Sequence, residues 1–350
     1  GSCRDLCATV NRTGEEAMTR VAVVGAGSWG TTFAKVLADA GTDVTIWARR
    51  AELAKEISES RRNSDYLPGI NLPTALHATA SLAEAVAGAE AIYLAVPSQT
   101  LRENLADIAP VAEAGTVYVS LMKGVESGTG HRMSQVIADV TGVGEDRIAV
   151  VSGPNLALEI AKEQPTAAVA SSTDAETAAE IAKQATTPYF RMFVNYDVVG
   201  TEFGGVLKNL IAVAVGIADG VGYGENTKAS IITRGLAEIS AFAAAFGAEP
   251  QTMAGLAGLG DLIATCESPL SRNNTAGRLL GQGFGLDDVV RRMNQTAEGI
   301  QAVTPVLELG ASKGVSMPIV LQVQQVLRGE LDPAELAPHL ATDSDEPQGE

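Results

Sequence analysis

A doubly wound α/β domain with a mainly parallel sheet, followed by an all-α C-terminal domain, is the fold this sequence predicts. Three observations predict it. Up to about residue 200, short apolar runs alternate with helix-like stretches, the pattern of successive βα units. Most of those runs are continuously apolar rather than alternating, as befits strands of a parallel sheet covered on both faces. Beyond Glu202 the β pattern stops and long helical stretches follow.

Taken in order, the first strand is expected over residues 20–24, running into Gly25-Ala26-Gly27-Ser28-Trp29-Gly30. A helix is expected over 31–40 and a second strand over 43–47. A Gly-x-Gly-x-x-Gly turn alone is a weak signal. Between a strand and a helix, with a second strand after them, it becomes the Rossmann dinucleotide-binding fingerprint. Gly25 then permits the tight turn, Gly27 lets backbone approach a pyrophosphate, and Gly30 lets helix and strand pack closely. The N–H groups and positive dipole end of a helix starting near Ser28 would hold the phosphates.

The second strand ends in Ala48-Arg49-Arg50, with no acid at its tip. An NAD-preferring site places Asp or Glu there to accept the ribose hydroxyls, whereas a 2′-phosphate calls for cations, which guanidinium forks supply. NADP(H) is therefore the expected cofactor, with NAD(H) second. The alternative is that Arg49 and Arg50 are merely solvated at a helix start.

Further strands are expected at 91–96, 116–121, 148–152, 166–171 and 190–194, with helices at 82–87, 130–140 and 175–185. Ligands of such sheets bind beyond the carboxyl ends of the strands, so the exits at Gly25, Ala48, Pro97, Met122-Lys123 and Gly153-Pro154 are the informative ones. In the C-terminal part, helices are expected at 203–219, 228–246, 274–281, 286–293, 304–312 and 318–328, the second ended by Gly247 and Pro250. The organisation expected is an N-terminal extension at 1–17, a dinucleotide-binding domain at 18–201, an all-α substrate domain at 202–340 and an acidic tail at 341–350. Gly1-Ser2 resembles a cloning scar and Met18 a natural start. The extension and the tail are both expected to be disordered, the tail on composition.

Apolar residues make up 46% of the 350-residue chain and charged residues 19%, a globular balance. The net charge of −17 argues against a nucleic-acid or anionic-membrane surface, so an anionic ligand must be captured by local cations. No stretch is expected to span a bilayer. Cys3, Cys7 and Cys266 have no metal-ligand spacing with His77, His131 or His339 and form no disulfide framework. No metal site is expected, and the cytoplasm is the expected compartment.

Lys208 and Asn209 interrupt a helix that is otherwise apolar nearly all round. A buried lysine is costly unless paired, and desolvation lowers its pKa towards the range of a general acid or base. The bland alternative is a lysine snorkelling out at a helix end. Lys123 follows a strand at the ligand edge, and Ser152-Gly153-Pro154-Asn155-Leu156-Ala157 ends the next one. Asp261, after the glycine-dense Gly255–Gly260 turn, is either a plain helix cap or the partner of Lys208. Ser271-Arg272-Asn273-Asn274 is either a phosphate site or an ordinary N-cap with an exposed arginine.

These segments, in this order, closely resemble the bacterial NAD(P)-dependent sn-glycerol-3-phosphate dehydrogenases. The resemblance spans residues 19–330 through Val23–Thr31, Ser120-Leu121-Met122-Lys123-Gly124, Ser152-Gly153-Pro154, Leu207-Lys208-Asn209, Thr233–Glu238, Gly258-Leu259-Gly260-Asp261-Leu262, Ser271-Arg272-Asn273 and Ala297-Glu298-Gly299. It implies reversible reduction of dihydroxyacetone phosphate to sn-glycerol 3-phosphate, which supplies glycerophospholipid synthesis, by a homodimer. It also implies that Ser28, Trp29, Arg49, Arg50, Lys123, Ala157, Arg272 and Glu298 contact the cofactor. Lys208 would exchange the proton with the ketone oxygen. Lys123, Gly153, Asn155, Lys208, Asp261, Ser271, Arg272 and Asn273 would hold the substrate. Asn155 departs from the family, where serine or threonine is usual, and Thr296-Ala297 departs from a valine-rich form. Competing readings are a β-hydroxyacid dehydrogenase of related architecture, a sugar-nucleotide dehydrogenase using Cys266 as nucleophile, and a catalytically silent NADP-binding sensor.

Overall fold

The computed structural model describes residues 19–293 and 297–336. The extension with Cys3, Cys7 and Met18, Thr296, His339 and the acidic tail lie outside the described residues. Eight strands form one sheet: β1 (Arg20–Val24), β2 (Asp43–Trp47), β3 (Leu76–Thr79), β4 (Ala91–Leu94), β5 (Val117–Ser120), β6 (Ile148–Ser152), β7 (Thr166–Ser171) and β8 (Phe190–Asn195). Their order is β3-β2-β1-β4-β5-β6-β7-β8, every neighbouring pair parallel except β6 and β7. Sequence reading missed β3. As an edge strand it sends only Leu76 fully into the core, while His77 is exposed, so it carries no continuous apolar run.

The apolar strands are covered on both sides. Val21, Val23 and Ile46 pack into one layer with Phe33 and Leu37 of helix Ser28–Asp39. Ala22, Val24, Ile92 and Leu94 pack into the opposite layer with Leu101, Leu105 and Ile137. Strand order reverses between β1 and β4, which opens a crevice at their carboxyl ends. Gly25 makes this point passable. Its φ of +114° suits glycine, and a Cβ there would run into the carbonyl of Ala95 just past β4.

From Val198 onward the described chain is helical. Helix Val198–Val221 starts one turn earlier than the sequence suggested, because the Asp197 carboxylate accepts the Gly200 N–H at 2.8 Å. At that full length it is apolar and long enough to cross a membrane, which corrects the expectation that no stretch is. Burial decides the matter: 89% of its most apolar window lies inside the protein, packed among Phe242, Leu262, Val306 and Val323. Helix Glu298–Ser312 likewise begins before the expected 304 and carries Pro305 inside it.

Glycines fix the approach of the central helix to helix Arg272–Gly281. Cβ atoms at Gly216 and Gly220 would strike the carbonyls of Asn274 and Arg278, and at Gly277 and Gly281 those of Val213 and Ile217. The two backbones touch directly.

A buried carboxylate ties another helix to this unit. Glu238, on helix Glu225–Ala245, accepts the Ile319 and Val320 N–H groups at 2.9 and 3.1 Å, capping helix Pro318–Leu327 from outside. Burial nevertheless pushes its carboxyl up to about 7 against the pull of those two donors. Glu238→Ala leaves two buried donors unpaired and is expected to lower stability by about 2 kcal/mol in urea unfolding. An unchanged midpoint would remove the capping role.

Candidate active site

Helix Ser28–Asp39 begins immediately after the glycine turn, with Gly27 as its N-cap. No side chain caps it and no acid lies in its first turn, so its N–H groups and positive dipole end remain open to an anion. A Cβ at Gly30 would strike the Gly25 carbonyl, whereas one at Gly27 would meet nothing within 4 Å. The first and third glycines thus serve packing, and space lies open over the second. That is the shape a dinucleotide pyrophosphate needs, and the residues present fit such a group.

A loop hangs over this turn. The buried Asn63 amide donates to the Ala26 carbonyl at 3.0 Å and to Thr31 Oγ1 at 2.8 Å, and its Oδ1 accepts the Tyr66 N–H. Ser28 Oγ donates to the Tyr66 carbonyl at 2.7 Å. Sequence reasoning missed this loop, whose only signal was an Asn at a position later found buried. Thr32 Oγ1 donates to the Ala157 carbonyl, which brings Ala157 against the same helix. At the tip of β2, Arg49 is exposed, and Arg50 pairs with Asp65 at 2.6 Å.

Past the ends of β5 and β6 lies a charge cluster. Asp261, 1% exposed, accepts from Lys208 Nζ through Oδ1 and from Lys123 Nζ through Oδ2, both at 2.6 Å. Lys123 also donates to the Gly153 carbonyl at 3.1 Å, and Lys208 to Thr265 Oγ1 at 2.6 Å. The partner reading of Asp261 and the buried reading of Lys208 are thus the ones the structure adopts. The Gly255–Gly260 segment makes this geometry: residues Leu256–Gly260 form a π-helical turn that delivers Asp261 at the head of helix Asp261–Glu267. Thr265 was missed by sequence reading, although it lies four residues after Asp261 and so on the same helix face.

Burial pushes the Lys208 ammonium down to about 8; attraction by Asp261 opposes that shift and repulsion by Lys123 assists it. An ammonium carries three N–H donors. Among the described residues Lys208 and Lys123 each commit two to protein oxygens, leaving one apiece for a ligand.

The remaining expected residues divide into two sets. Both polar atoms of the Asn155 amide, and the Ser152 hydroxyl just before it, are sealed from solvent with no partner among the described residues. Buried unpaired groups are costly, and a ligand here would satisfy them. Glu298 heads helix Glu298–Ser312; burial raises its carboxyl, opposed by the charges of Arg272, Lys123 and Lys208, so all four groups share one neighbourhood. Ser271 and Asn273 carry structural duties. Ser271 Oγ accepts the Asn274 N–H as the N-cap of helix Arg272–Gly281. Asn273 donates to Asn209 Oδ1 and accepts the Gly299 N–H, both at 2.9 Å, stitching three helices together. Burial pushes the Cys266 thiol up to about 12, which works against its serving as a thiolate nucleophile. Among the described residues no cluster of His, Cys, Asp or Glu has metal-site geometry.

Comparison with known proteins gives this geometry a context. The N-terminal family of NAD-dependent glycerol-3-phosphate dehydrogenase matches residues 20–178, and the C-terminal family of the same enzyme matches 197–338. A curated glycerol-3-phosphate dehydrogenase (NAD(P)+) of Leifsonia xyli is 68% identical over 328 residues, 94% of this chain and 89% of that protein. Another, from Streptomyces griseus, is 54% identical, covering 94% and 98%. The crystal structure of glycerol-3-phosphate dehydrogenase from Coxiella burnetii superposes with a TM-score of 0.87 at 34% identity, covering 92% of this chain and 98% of that one.

Proposed function

Because the chain belongs to the NAD-dependent glycerol-3-phosphate dehydrogenase family, we infer how its own residues carry out the reaction. It reduces dihydroxyacetone phosphate to glycerol 3-phosphate with NADH or NADPH. Lys208 is the proton donor to the ketone oxygen. The observation that carries this reading is the pair of lysines on one buried carboxylate, each with a single N–H left over. The nicotinamide, when bound, supplies the hydride.

Charge develops on the ketone oxygen as the carbonyl is reduced, and an aimed cation that can release a proton lowers that barrier. Lys208, with its pKa of about 8, is charged at neutral pH yet able to give up the proton. Asp261 holds both ammonium groups in place without neutralising either. Lys123 keeps a second positive charge beside the site, and the Asn155 amide offers a donor and an acceptor to the substrate. Arg272, at the head of its helix, would take the phosphate, aided by the dipole of that helix. Gly153, Ser271 and Asn273 shape this wall, their polar atoms largely spent on the protein itself. Ser28, Trp29, Ala157 and Glu298 border the cofactor, with Gly25, Gly27 and Gly30 under its phosphates. Arg49 and Arg50 favour NADP(H).

The sheet unit, expected over 18–201, holds the dinucleotide, and the helical unit, expected over 202–340, supplies the acid and the phosphate cation. A cytoplasmic homodimer feeding glycerophospholipid synthesis completes the reading. Two cofactor arms test it: loss of reduced-nicotinamide absorbance on mixing with dihydroxyacetone phosphate, first with NADPH, then with NADH. Faster turnover with NADPH, reduced about tenfold by Arg49→Ala, is the expected result. Equal rates with both cofactors, unmoved by that change, would remove the 2′-phosphate role of the arginines.

A further inference from the structure

The sequence places no acid at the tip of β2, yet the folded chain has one there. Asp65, 18 positions along the chain from Trp47, reaches back to Arg50 at 2.6 Å. Its placement is not left to a floppy surface loop. Asn63 is 0% exposed and bonded to the glycine turn through Ala26 and Thr31, and Ser28 holds the Tyr66 carbonyl. Asp65 sits between these two tethers. The Arg50 guanidinium also lies 5.9 Å from the centre of the Tyr66 ring, so cation, carboxylate and ring form one small cluster.

We propose that Asp65 and Arg50 are a two-way adaptor for the ribose end of the cofactor. Asp65 accepts the 2′-hydroxyl of NAD(H), and Arg50 turns from Asp65 to a 2′-phosphate when NADP(H) binds. The proposal rests on the reading of Arg49 and Arg50 given above and deepens it. The chemistry of the pair fits both tasks. A carboxylate is the group that accepts ribose hydroxyls at this strand tip, and a guanidinium is the group that binds a phosphate. Both side chains are about half exposed, so their pairing is weak and reversible, and a dianionic phosphate competes for the arginine effectively. The same carboxylate repels that phosphate, which tempers the preference for NADP(H) that Arg49 and Arg50 alone would impose. Glu52 is the other acid acting on Arg50, but it belongs to the first turn of helix Ala51–Lys55 and lacks the tether to the glycine turn.

The two tryptophans of the chain are Trp29, in the first turn of helix Ser28–Asp39, and Trp47, at the end of β2. They lie on the two elements that carry the glycine turn and the arginines, so quenching of their fluorescence reads cofactor binding without turnover. Dissociation constants of NADP+ and NAD+ are measured for the full-length protein and for Asp65→Asn. The expected result is about fivefold tighter NADP+ and about threefold weaker NAD+, from loss of one charge-assisted acceptor and one repulsive charge. A ratio of the two constants within about twofold of the parent overturns the adaptor. The double change Arg49→Ala/Arg50→Ala separates the two layers of inference. If it abolishes discrimination while Asp65→Asn does nothing, only the adaptor fails. If it too leaves the ratio untouched, the basic pair is not the 2′-phosphate site, and both readings fall.

Discussion

Lys208→Ala is expected to lower kcat for ketone reduction by about a thousandfold while leaving cofactor affinity within about twofold, as for loss of a general acid that touches substrate alone. The residual rate reflects what binding and the Lys123 charge still supply. Lys208→Arg discriminates between two roles for the same charge. A guanidinium keeps the cation but does not release a proton at any working pH. A mere electrostatic anchor would therefore survive that change, and a proton donor would not. Turnover by Lys208→Arg within about tenfold of the parent would reassign Lys208 from donor to anchor.

In the parent protein the same group, as the proposed proton donor, is expected to set the pH dependence. With a pKa of about 8, Lys208 is an ammonium below that value and a free amine above it. Reduction needs the ammonium, so its rate declines as pH rises through 8. Oxidation of glycerol 3-phosphate needs the amine, so its rate climbs across the same interval.

Asp261→Asn has the second large effect, and it acts on that profile. Asp261 is the main attraction keeping Lys208 charged, against burial and the repulsion of Lys123. Without the carboxylate, the pKa of Lys208 falls below its present value and a larger share of it is amine at neutral pH. The descending limb for reduction shifts to lower pH, and kcat/KM at neutral pH drops by about a hundredfold. Stability falls as well, by about 3 kcal/mol, because the change leaves two lysines facing each other in a buried place. The loss stops there because Lys208 sheds its proton rather than stay charged. A pH–rate profile that keeps its limb near 8 would detach Asp261 from the titration of Lys208.

Much of this site was legible in the sequence, for reasons that can be traced to individual residues. The glycine turn could be read because each glycine answers a local steric demand, and Gly25 and Gly30 meet those demands in the fold. Lys208 stood out because a charge in an apolar helix contradicts its surroundings. Asp261 was visible under two readings, a helix cap or the partner of Lys208. Its hold on Lys123 as well was not, since nothing in the sequence shows the π-helical turn aiming it at two lysines. Ser271 and Asn273 were read for the ligand, yet much of their hydrogen bonding goes to the protein, because a helix cap and a ligand-binding motif draw on the same residue types. Thr265 and Asp65 were passed over. Each gains its meaning from a neighbour brought close only by folding, Lys208 in one case and Arg50 in the other. The short edge strand β3 was missed for a related reason, as a strand covered on one edge by nothing needs little apolar sequence.

The glycine contacts between helix Val198–Val221 and helix Arg272–Gly281 have a consequence for which molecules the enzyme accepts. One helix bears Lys208 and the other begins with Arg272. With backbone against backbone at Gly216 and Gly277, no side chain is available to yield between the helices, so the backbones that carry Lys208 and Arg272 are held at a set separation. The pair acts as a ruler. A phosphate anchored at one mark brings a carbonyl to the other only if the carbon skeleton between them has the right length. On the roles proposed for Lys208 and Arg272, longer or shorter phosphorylated ketones are expected to be refused by span, before any feature of their own reactivity is consulted.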